Sequence, residues 1–483
     1  MLSYTGHPLV DVGIATITSL VGKRSPQQLT AEDLWKTGKL LERVYFDEQW
    51  RGVMFSIFPN SAYTQPKISE AKKRAYIETF IYGFQASHES DERCTFCRKP
   101  ALARSYRQHI PLLTGKGAIN FFPRGRSGLP ACGACLLAIQ AFLLGSVKCA
   151  GRALLVHSHE NELTFEFAQR SLRENRRFIS LNSPPPNLNH PRTYLVTRLL
   201  EIEKDRHSMN ERERPYSLTA YHLTNYGTNP DIALFHFPFQ LISFLRQARC
   251  GPHARVWMQI EDRAWELTTR KNAQPEPDHR RESEPAVAAS ARERLGQARN
   301  YLYEDLLDLP QNGAQFIRTY LLRRTHRSSF EGDPRRFYDF QRELHLISWK
   351  ITTIFLKEVM NLDPHRIETI KRVADRIANH ISAENNRRLF RRLSLSRGAS
   401  QLRRELVTED RRLAQRGMEP LFTMDDFIEL FELGEDGRRP DWELATDLVL
   451  IRVIEQLHQR DWFSANPDEI DEEEAAHEVE AAA

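Results

Sequence analysis

Apolar residues recur every three to four positions in TAEDLWKTGKLLERVYF, where Leu34, Leu41 and Val44 share one face. Thr30 precedes this run and Asp33 lies three residues on, a capping pair that predicts a helix start. SEAKKRAYIETFIYGFQA reads as a second helix. CLLAIQAFLLG, from Cys135 to Gly145, is apolar on most sides and predicts a helix packed nearly all round. The pattern then shortens to alternation. ALLVHSH (153–159), YSLTAYHLTNYG and IALFHFP read as strands. FQLISFLRQA (239–248) returns to helix, and RVWMQI reads as a further strand. Residues 1–270 are therefore expected to be a mixed α/β domain.

KNAQPEPDHRRESEPAVAA, from residue 271, is polar and proline-containing, and 271–295 is expected to be a linker or mobile loop. Beyond it no strand is expected. LHLISWKITTIFLKEV places Leu344, Ile347, Ile351, Ile354 and Phe355 on one stripe. Asp363 caps and Pro364 opens the next helix, whose Ile367, Ile370, Val373, Ile377 and Ile381 form one apolar face. TMDDFIELFEL and DWELATDLVLIRVIEQLHQ continue the pattern, so 296–465 reads as an α-helical bundle. Residues 466–483 read as an acidic, disordered tail. The fold class expected is α+β, with a helical C-terminal half.

Composition adds little to this, but charge adds something. The 483 residues are 41% hydrophobic and 27% charged, and the net charge is only +4. That average conceals RR pairs at 387–388, 391–392, 403–404 and 411–412, followed by the acidic DEIDEEEAAHEVE. A basic block ahead of an acidic tail fits contact with a polyanion; two solvated helix faces are the plainer alternative. No apolar run reaches the roughly 20 residues of a membrane helix, and MLSYTGHPLVDVG lacks the form of a secretory signal. A cytoplasmic, reducing setting is expected.

In that setting the cysteines matter most. Cys94 and Cys97 form one C-x-x-C knuckle, Cys132 and Cys135 a second. Two such pairs complete the tetrahedral shell of a structural zinc, and four thiolates leave no open position for metal catalysis. A lost site, an iron–sulfur cluster or a redox pair are the alternatives. Cys149 and Cys250 read as small buried apolar residues.

The zinc would join the ends of a segment carrying Lys116, Asn120, Arg124 and Arg126 among Gly115, Gly117, Gly125 and Gly128. Glycines let backbone approach a phosphate or groove floor, and the cations supply charge. Phe121 and Phe122 either anchor the loop to the core, the preferred reading, or stack on bases. VGKRS and TGKGA both fail the P-loop pattern, and no H-E-x-x-H or G-x-S-x-G occurs. His157, Ser158, His159 and Glu160 resemble a ligand cluster, but a half-buried strand end is the preferred account.

YTGHPLVDVGIATI, the knuckles CTFC and CGAC, and NFFPRGRSG before the second knuckle occur in that order. Together they resemble the large subunit of the type I-B CRISPR interference complex, Cascade. The resemblance spans the chain, although residues 150–340 carry no matching motif. It implies a non-catalytic subunit that recognises the protospacer-adjacent motif in duplex DNA, helps open it, and holds the displaced strand. It implies as partners the CRISPR RNA-bearing backbone and handle-binding subunits, double-stranded target DNA and a helicase-nuclease. A small helical subunit, made by internal translation near Met360, would join them. Lys116, Asn120, Arg124 and Arg126 are the expected duplex-contacting residues. Arg387, Arg388, Arg391, Arg392, Arg403 and Arg404 are expected to hold the displaced strand. A zinc-containing nucleic-acid-binding protein outside CRISPR, a zinc-dependent enzyme, and the same subunit in a transposon-linked complex are the alternatives.

Overall fold

The computed structural model describes residues 2–86, 90–116, 127–208, 215–226, 230–267, 297–338, 340–396, 399–433, 437–438 and 442–467. They form two compact units. The first runs to Phe239 and takes in residues 297–299; the second begins at Gln240 and resumes at Asn300.

The first unit is built around α1 (Pro8–Leu20), in which every residue from Leu9 to Thr18 is buried. A helix covered on all sides has no polar face, so its period is invisible in sequence, and no element was expected there. α2 (Ala31–Tyr45), α3 (Arg51–Ile57) and α4 (Glu70–Phe80) follow. The expected cap of α2 forms in both directions. Asp33 N–H donates to the Thr30 hydroxyl at 3.2 Å, and Thr30 N–H donates to the Asp33 carboxylate at 2.8 Å.

A short antiparallel hairpin, β1 (Ala103–Ser105) with β2 (Leu129–Ala131), leads into α5 (Gly133–Ala141) and a 3₁₀ turn through Gly145. α5 crosses α1 at Gly13, where a β-carbon would lie 1.8 Å from the Ala138 carbonyl oxygen. β3 (Val147–Cys149), β4 (Arg152–Ser158), β5 (Leu218–Thr224) and β6 (Asp231–Phe237) make one antiparallel sheet in that order. The last three are the expected strands. Two helices that sequence analysis left unassigned, α6 (Asn161–Ser180) and α7 (Pro191–Ser208), connect β4 to β5. Ala153, Leu155 and Leu223 of the sheet share one core with α1, α5 and Ala168 and Leu172 of α6.

The second unit opens with α8 (Phe239–Ala248) and α9 (Ala254–Arg263). Two expectations are corrected here. RVWMQI is helical, with Trp257, Ile260 and Glu261 buried on one side at helical rather than alternating spacing. Both helices, from Gln240 on, also belong to the second unit rather than to the first. Then come α10 (Tyr301–Leu306), α11 (Trp349–Glu358), α12 (Pro364–Glu384), α13 (Arg387–Ser394), α14 (Ala399–Gln415), α15 (Met424–Phe431) and α16 (Trp442–Gln459).

α11 starts later than its apolar stripe suggested. Leu344 and Leu346 lie in a 3₁₀ turn, and the Ser348 hydroxyl then caps the helix. α12 begins as expected, with His365 N–H donating to Asp363 at 2.9 Å, and its five-residue apolar face is buried, largely against α16. A two-residue hairpin, β7 (Glu432–Leu433) with β8 (Gly437–Arg438), corrects the expectation of no strand. The 271–295 segment lies outside the described residues, as do 468–483 of the tail. Among the described residues no helix is long and apolar enough to cross a membrane.

Candidate metal centre

Two short structures bring the knuckles together. In the first, Cys94 N–H donates to the Lys99 carbonyl at 2.7 Å and Arg98 N–H to the Cys94 carbonyl at 3.0 Å, closing a tight turn in which Arg98 has φ 65. In the second, Cys132 is the N-cap of α5 and Cys135 lies in its first turn. The positive end of that helix favours thiolates there. Gly133 allows this helix end to seat on the neighbouring turn, since a β-carbon would lie 2.1 Å from the backbone carbon of Gly83. Thr95 joins the knuckles by donating from N–H (2.9 Å) and hydroxyl (3.1 Å) to the Pro130 carbonyl.

The sulfurs of Cys94, Cys97, Cys132 and Cys135 all lie within 4.8 Å of one another, and those of Cys97 and Cys132 are 3.4 Å apart. A tetrahedral ion with metal–sulfur bonds of ~2.3 Å needs sulfurs roughly 3.8 Å apart, so the donor set fits one such ion. Cys97 is half-buried and the other three are buried. Contacts to Cys132, then Cys135 and Cys97, hold the Cys94 thiol far below its usual range. Contacts to Cys132, then Cys94 and Cys97, push Cys135 far above it. Sulfurs this close cannot all ionise unless a cation among them offsets their mutual repulsion. Among the described residues this is the one group of at least three His, Cys, Asp or Glu side chains close enough to hold an ion.

The hairpin continues what the cysteines begin. Ser105 pairs with Leu129, so the chain between them leaves and returns at one point. Arg104 clasps that point. It donates to Glu92 from Nε at 3.1 Å and from a terminal nitrogen at 2.6 Å, and to the carbonyls of Ser127 (3.0 Å) and Gly128 (3.1 Å).

The outgoing half is held a second time. Asn225, just past β5 and fully buried, accepts at Oδ1 from Arg107 Nε (3.1 Å) and Leu112 N–H (3.3 Å). It donates from Nδ2 to the carbonyls of Ile57 (2.9 Å) and Arg107 (3.0 Å). His109 stacks on Phe80 with ring centres 3.9 Å apart, and burial pushes its pKa down to about 4. Lys116 emerges beyond these anchors and is exposed. Asn120, Phe121, Phe122, Arg124 and Arg126 lie outside the described residues. Sequence reasoning missed Arg104, Arg107 and Asn225. Asn225 sits in TNYG, which reads as an ordinary turn, and nothing local marks its long-range bonds.

The histidines of HSHE are not a second ligand set. His157 meets Asp11, with Nε2 and the carboxylate 3.1 Å apart, and Asp11 also accepts from the N–H groups of Thr5 (2.7 Å) and Gly6 (2.9 Å). His159 lies past the end of β4 and is exposed. Cys149 is buried as expected. Cys250 is exposed, a correction: it follows the last turn of α8, off that helix's buried face.

The six arginines of the second unit differ in availability. Arg388, Arg403 and Arg404 are exposed, whereas Arg387, Arg391 and Arg392 are half-buried. Arg392 is bound to Glu405 at 2.8 Å, and the Arg403 guanidinium lies 4.7 Å from the centre of the Phe427 ring. Comparison of the chain with family models, with curated proteins and with solved structures gave no match.

Proposed function

We propose that this chain is the large, non-catalytic subunit of a CRISPR RNA-guided DNA surveillance complex of the Cascade type. One observation supports the reading most. A four-cysteine centre, a hairpin and the Arg104 clasp together fix both ends of a glycine-rich segment that carries cations. A segment anchored in this way can present its cations to DNA at a fixed place on a folded unit, as recognition of a short duplex motif requires.

In this reading the ion is zinc, and its role is structural. Cys94, Cys97, Cys132 and Cys135 hold it, and the filled shell leaves recognition to the loop. Lys116, Asn120, Arg124 and Arg126 contact the protospacer-adjacent motif. The helices of 296–465 form a bundle module that holds the displaced strand through its arginines. The partners are the guide-bearing backbone and handle-binding subunits, target DNA and a helicase-nuclease, in the cytoplasm.

Met360, the proposed internal start of a small helical subunit, packs its sulfur where a β-carbon on Gly313 would lie 2.4 Å away. A product begun there would lack α11 but keep α12 and α16. Mass spectrometry of the complex before and after Met360→Leu checks this; no fragment in either preparation discards it.

The experiment on the main reading has two arms. Purification from the native host should bring down guide RNA and backbone subunits with the chain. The assembled complex with Arg124→Ala and Arg126→Ala should bind a correctly flanked target at least about tenfold more weakly, since a base-reading contact is worth roughly 1–3 kcal/mol. A monomer free of RNA would favour a nucleic-acid-binding protein outside CRISPR. Unchanged affinity and discrimination would remove the loop from motif recognition.

A further inference from the structure

α6 places Arg170, Arg173, Arg176, Arg177 and finally Ser180 on its outward side, while Leu163, Phe167, Ala168, Ser171 and Leu172 face inward. Arg170 is engaged by Asp205 at 2.6 Å. Arg173, Arg176 and Arg177 are exposed, and no side chain among the described residues pairs with them. The basic block that stands out in the sequence is different. There Arg392 meets Glu405 at 2.8 Å, Arg412 meets Glu409 at 2.9 Å and Arg416 meets Glu384 at 2.8 Å.

The ridge ends in a groove. Ser180, Asn182 and Ser183 line one wall of a cavity of about 410 Å³, and Arg43, Asp47 and Gln49 line the other. Arg43 is exposed and also has no side-chain partner among the described residues. Asp47 is the one carboxylate lining the groove, and it already accepts from Gln49 N–H at 2.8 Å. The Ser180 and Ser183 hydroxyls donate to the carbonyls of Arg176 (2.9 Å) and Leu181 (3.2 Å), so the Asn182 and Gln49 amides beside the Arg43 guanidinium are the donors the groove offers, a set suited to phosphate and sugar oxygens.

We infer that the outer face of α6 and the groove at its end form a track for a nucleic-acid backbone. It uses residues distinct from the loop held by the cysteines, and it does not depend on the CRISPR reading. Spacing supports it. Arg173 to Ser180 spans about 10 Å at ~1.5 Å per residue. One strand of duplex DNA offers a phosphate every ~3.4 Å of axis, so the ridge faces about three. Arginine forks match phosphate geometry, and an unpaired guanidinium gives up no existing partner to make the contact. No base-reading role is assigned to these residues.

The test is binding of the full chain to a short duplex of arbitrary sequence across a potassium chloride series. The triple variant Arg173→Gln, Arg176→Gln and Arg177→Gln should lower the slope of log affinity against log salt by about 2.7, at ~0.9 per phosphate contact. Arg43→Gln should remove about 0.9 more. All four sites are exposed, so helix content by circular dichroism should not change. Arg176→Gln alone gives a second reading if the triple variant is unstable, at about 0.9. A charge-matched triple on exposed positions near α4, Lys67→Gln, Lys72→Gln and Arg74→Gln, should cost clearly less. An unchanged slope overturns the inference, and so does an equal loss in the charge-matched triple. Leu181, 62% exposed at the end of α6, is what an acyl surface would take. Binding that shifts to anionic vesicles and away from DNA therefore overturns it as well.

Discussion

Arg107 and Asn225 hold each other from both sides. The guanidinium of Arg107 donates to the Asn225 side-chain oxygen at 3.1 Å and to its backbone carbonyl at 2.6 Å, and Asn225 Nδ2 returns a bond to the Arg107 carbonyl at 3.0 Å. Sequence separation is large, so the pair closes a long excursion of the chain onto the end of β5. Asn225→Leu should remove the side-chain acceptor of Arg107 Nε and of the Leu112 N–H, and the donor to the carbonyls of Ile57 and Arg107, while the Arg107 bond to the residue-225 backbone carbonyl stays. Buried polar groups left unpaired cost about 1–3 kcal/mol apiece, with partial relief from rearrangement, so roughly 3 kcal/mol of stability should be lost. Asn225→Asp should be damaging too, because a carboxylate cannot donate to the carbonyls of Ile57 and Arg107. Denaturant melts measure both, and metal content should stay unchanged because no cysteine ligand is touched. A loss below about 0.5 kcal/mol in both variants would mean that water or Arg107 alone closes the loop.

The metal centre gives a sharper expectation. The purified chain should carry one zinc, and Cys132→Ser should lose it. A structural zinc in a small module is worth on the order of 10 kcal/mol of folding, comparable with the net stability of a whole domain. The variant should therefore lose the order of the hairpin and of the turn at Cys94, while α12 and α16 in the second unit stay folded. Elemental analysis and hydrogen exchange read the two effects separately. Less than about half an equivalent of any metal in the wild-type chain would refute the centre.

His109 makes stability depend on pH. Burial lowers its pKa from the ordinary 6.5 to about 4, so the folded chain favours the neutral ring. Below the unfolded value the denatured chain takes up the proton first. The stability tied to this residue is complete above about pH 6.5 and drains away as pH falls toward 4. At 1.36 kcal/mol per unit, the loss is about 3 kcal/mol across that window. His109→Gln should flatten this part of the curve of unfolding free energy against pH. If wild type and variant show the same slope between pH 6.5 and 4, His109 is not the source.

Legibility in the sequence followed local exposure. α2 and α12 announce themselves because each has one wet face and a capping residue, Thr30 or Asp363, whose bonds are made within a few positions. β4, β5 and β6 read as strands from their short β-branched and aromatic runs, but burial follows that pattern unevenly: Ala153 to Val156 of β4 are buried in a row, and β6 leaves Ile232 and Leu234 exposed. α1 carries no such signal, since Leu9 to Thr18 are covered all round. RVWMQI misled because a short apolar run serves either period, and only the burial of Trp257 with Ile260 decides for helix. The site divides in the same way. The C-x-x-C spacing singled out Cys94, Cys97, Cys132 and Cys135, which the fold brings together, because each pair is a local motif. The residues that fix the loop, Arg104 and Asn225, act through partners distant in sequence. No window of sequence contains both ends of such a bond.

The arginines of α13 and α14 supply the last prediction. Their doublets suggest six equal cations, yet their surroundings are unequal. Arg392 already has a partner in Glu405, which lies 2.8 Å away and also attracts Arg404 at 3.8 Å. Moving Arg392 onto a phosphate would strip Glu405 of its closest cation, so the net gain from that contact is small. Arg388 is exposed, Arg403 rests on an aromatic ring without neutralisation, and the Arg404 side chain is 74% exposed. These three can meet a single strand at little cost. Arg388→Gln, Arg403→Gln and Arg404→Gln together should lower the salt slope of single-stranded DNA binding by about 2, at ~0.7 per contact. Arg392→Gln alone should change it by less than about 0.3, under half of one contact. Titrations of the full chain with an unstructured oligonucleotide over a salt series measure both values. Equal effects per residue would mean that Glu405 does not restrain Arg392 in solution. No effect from the triple variant would remove this face from strand holding, leaving α6 as the surface to examine for the backbone.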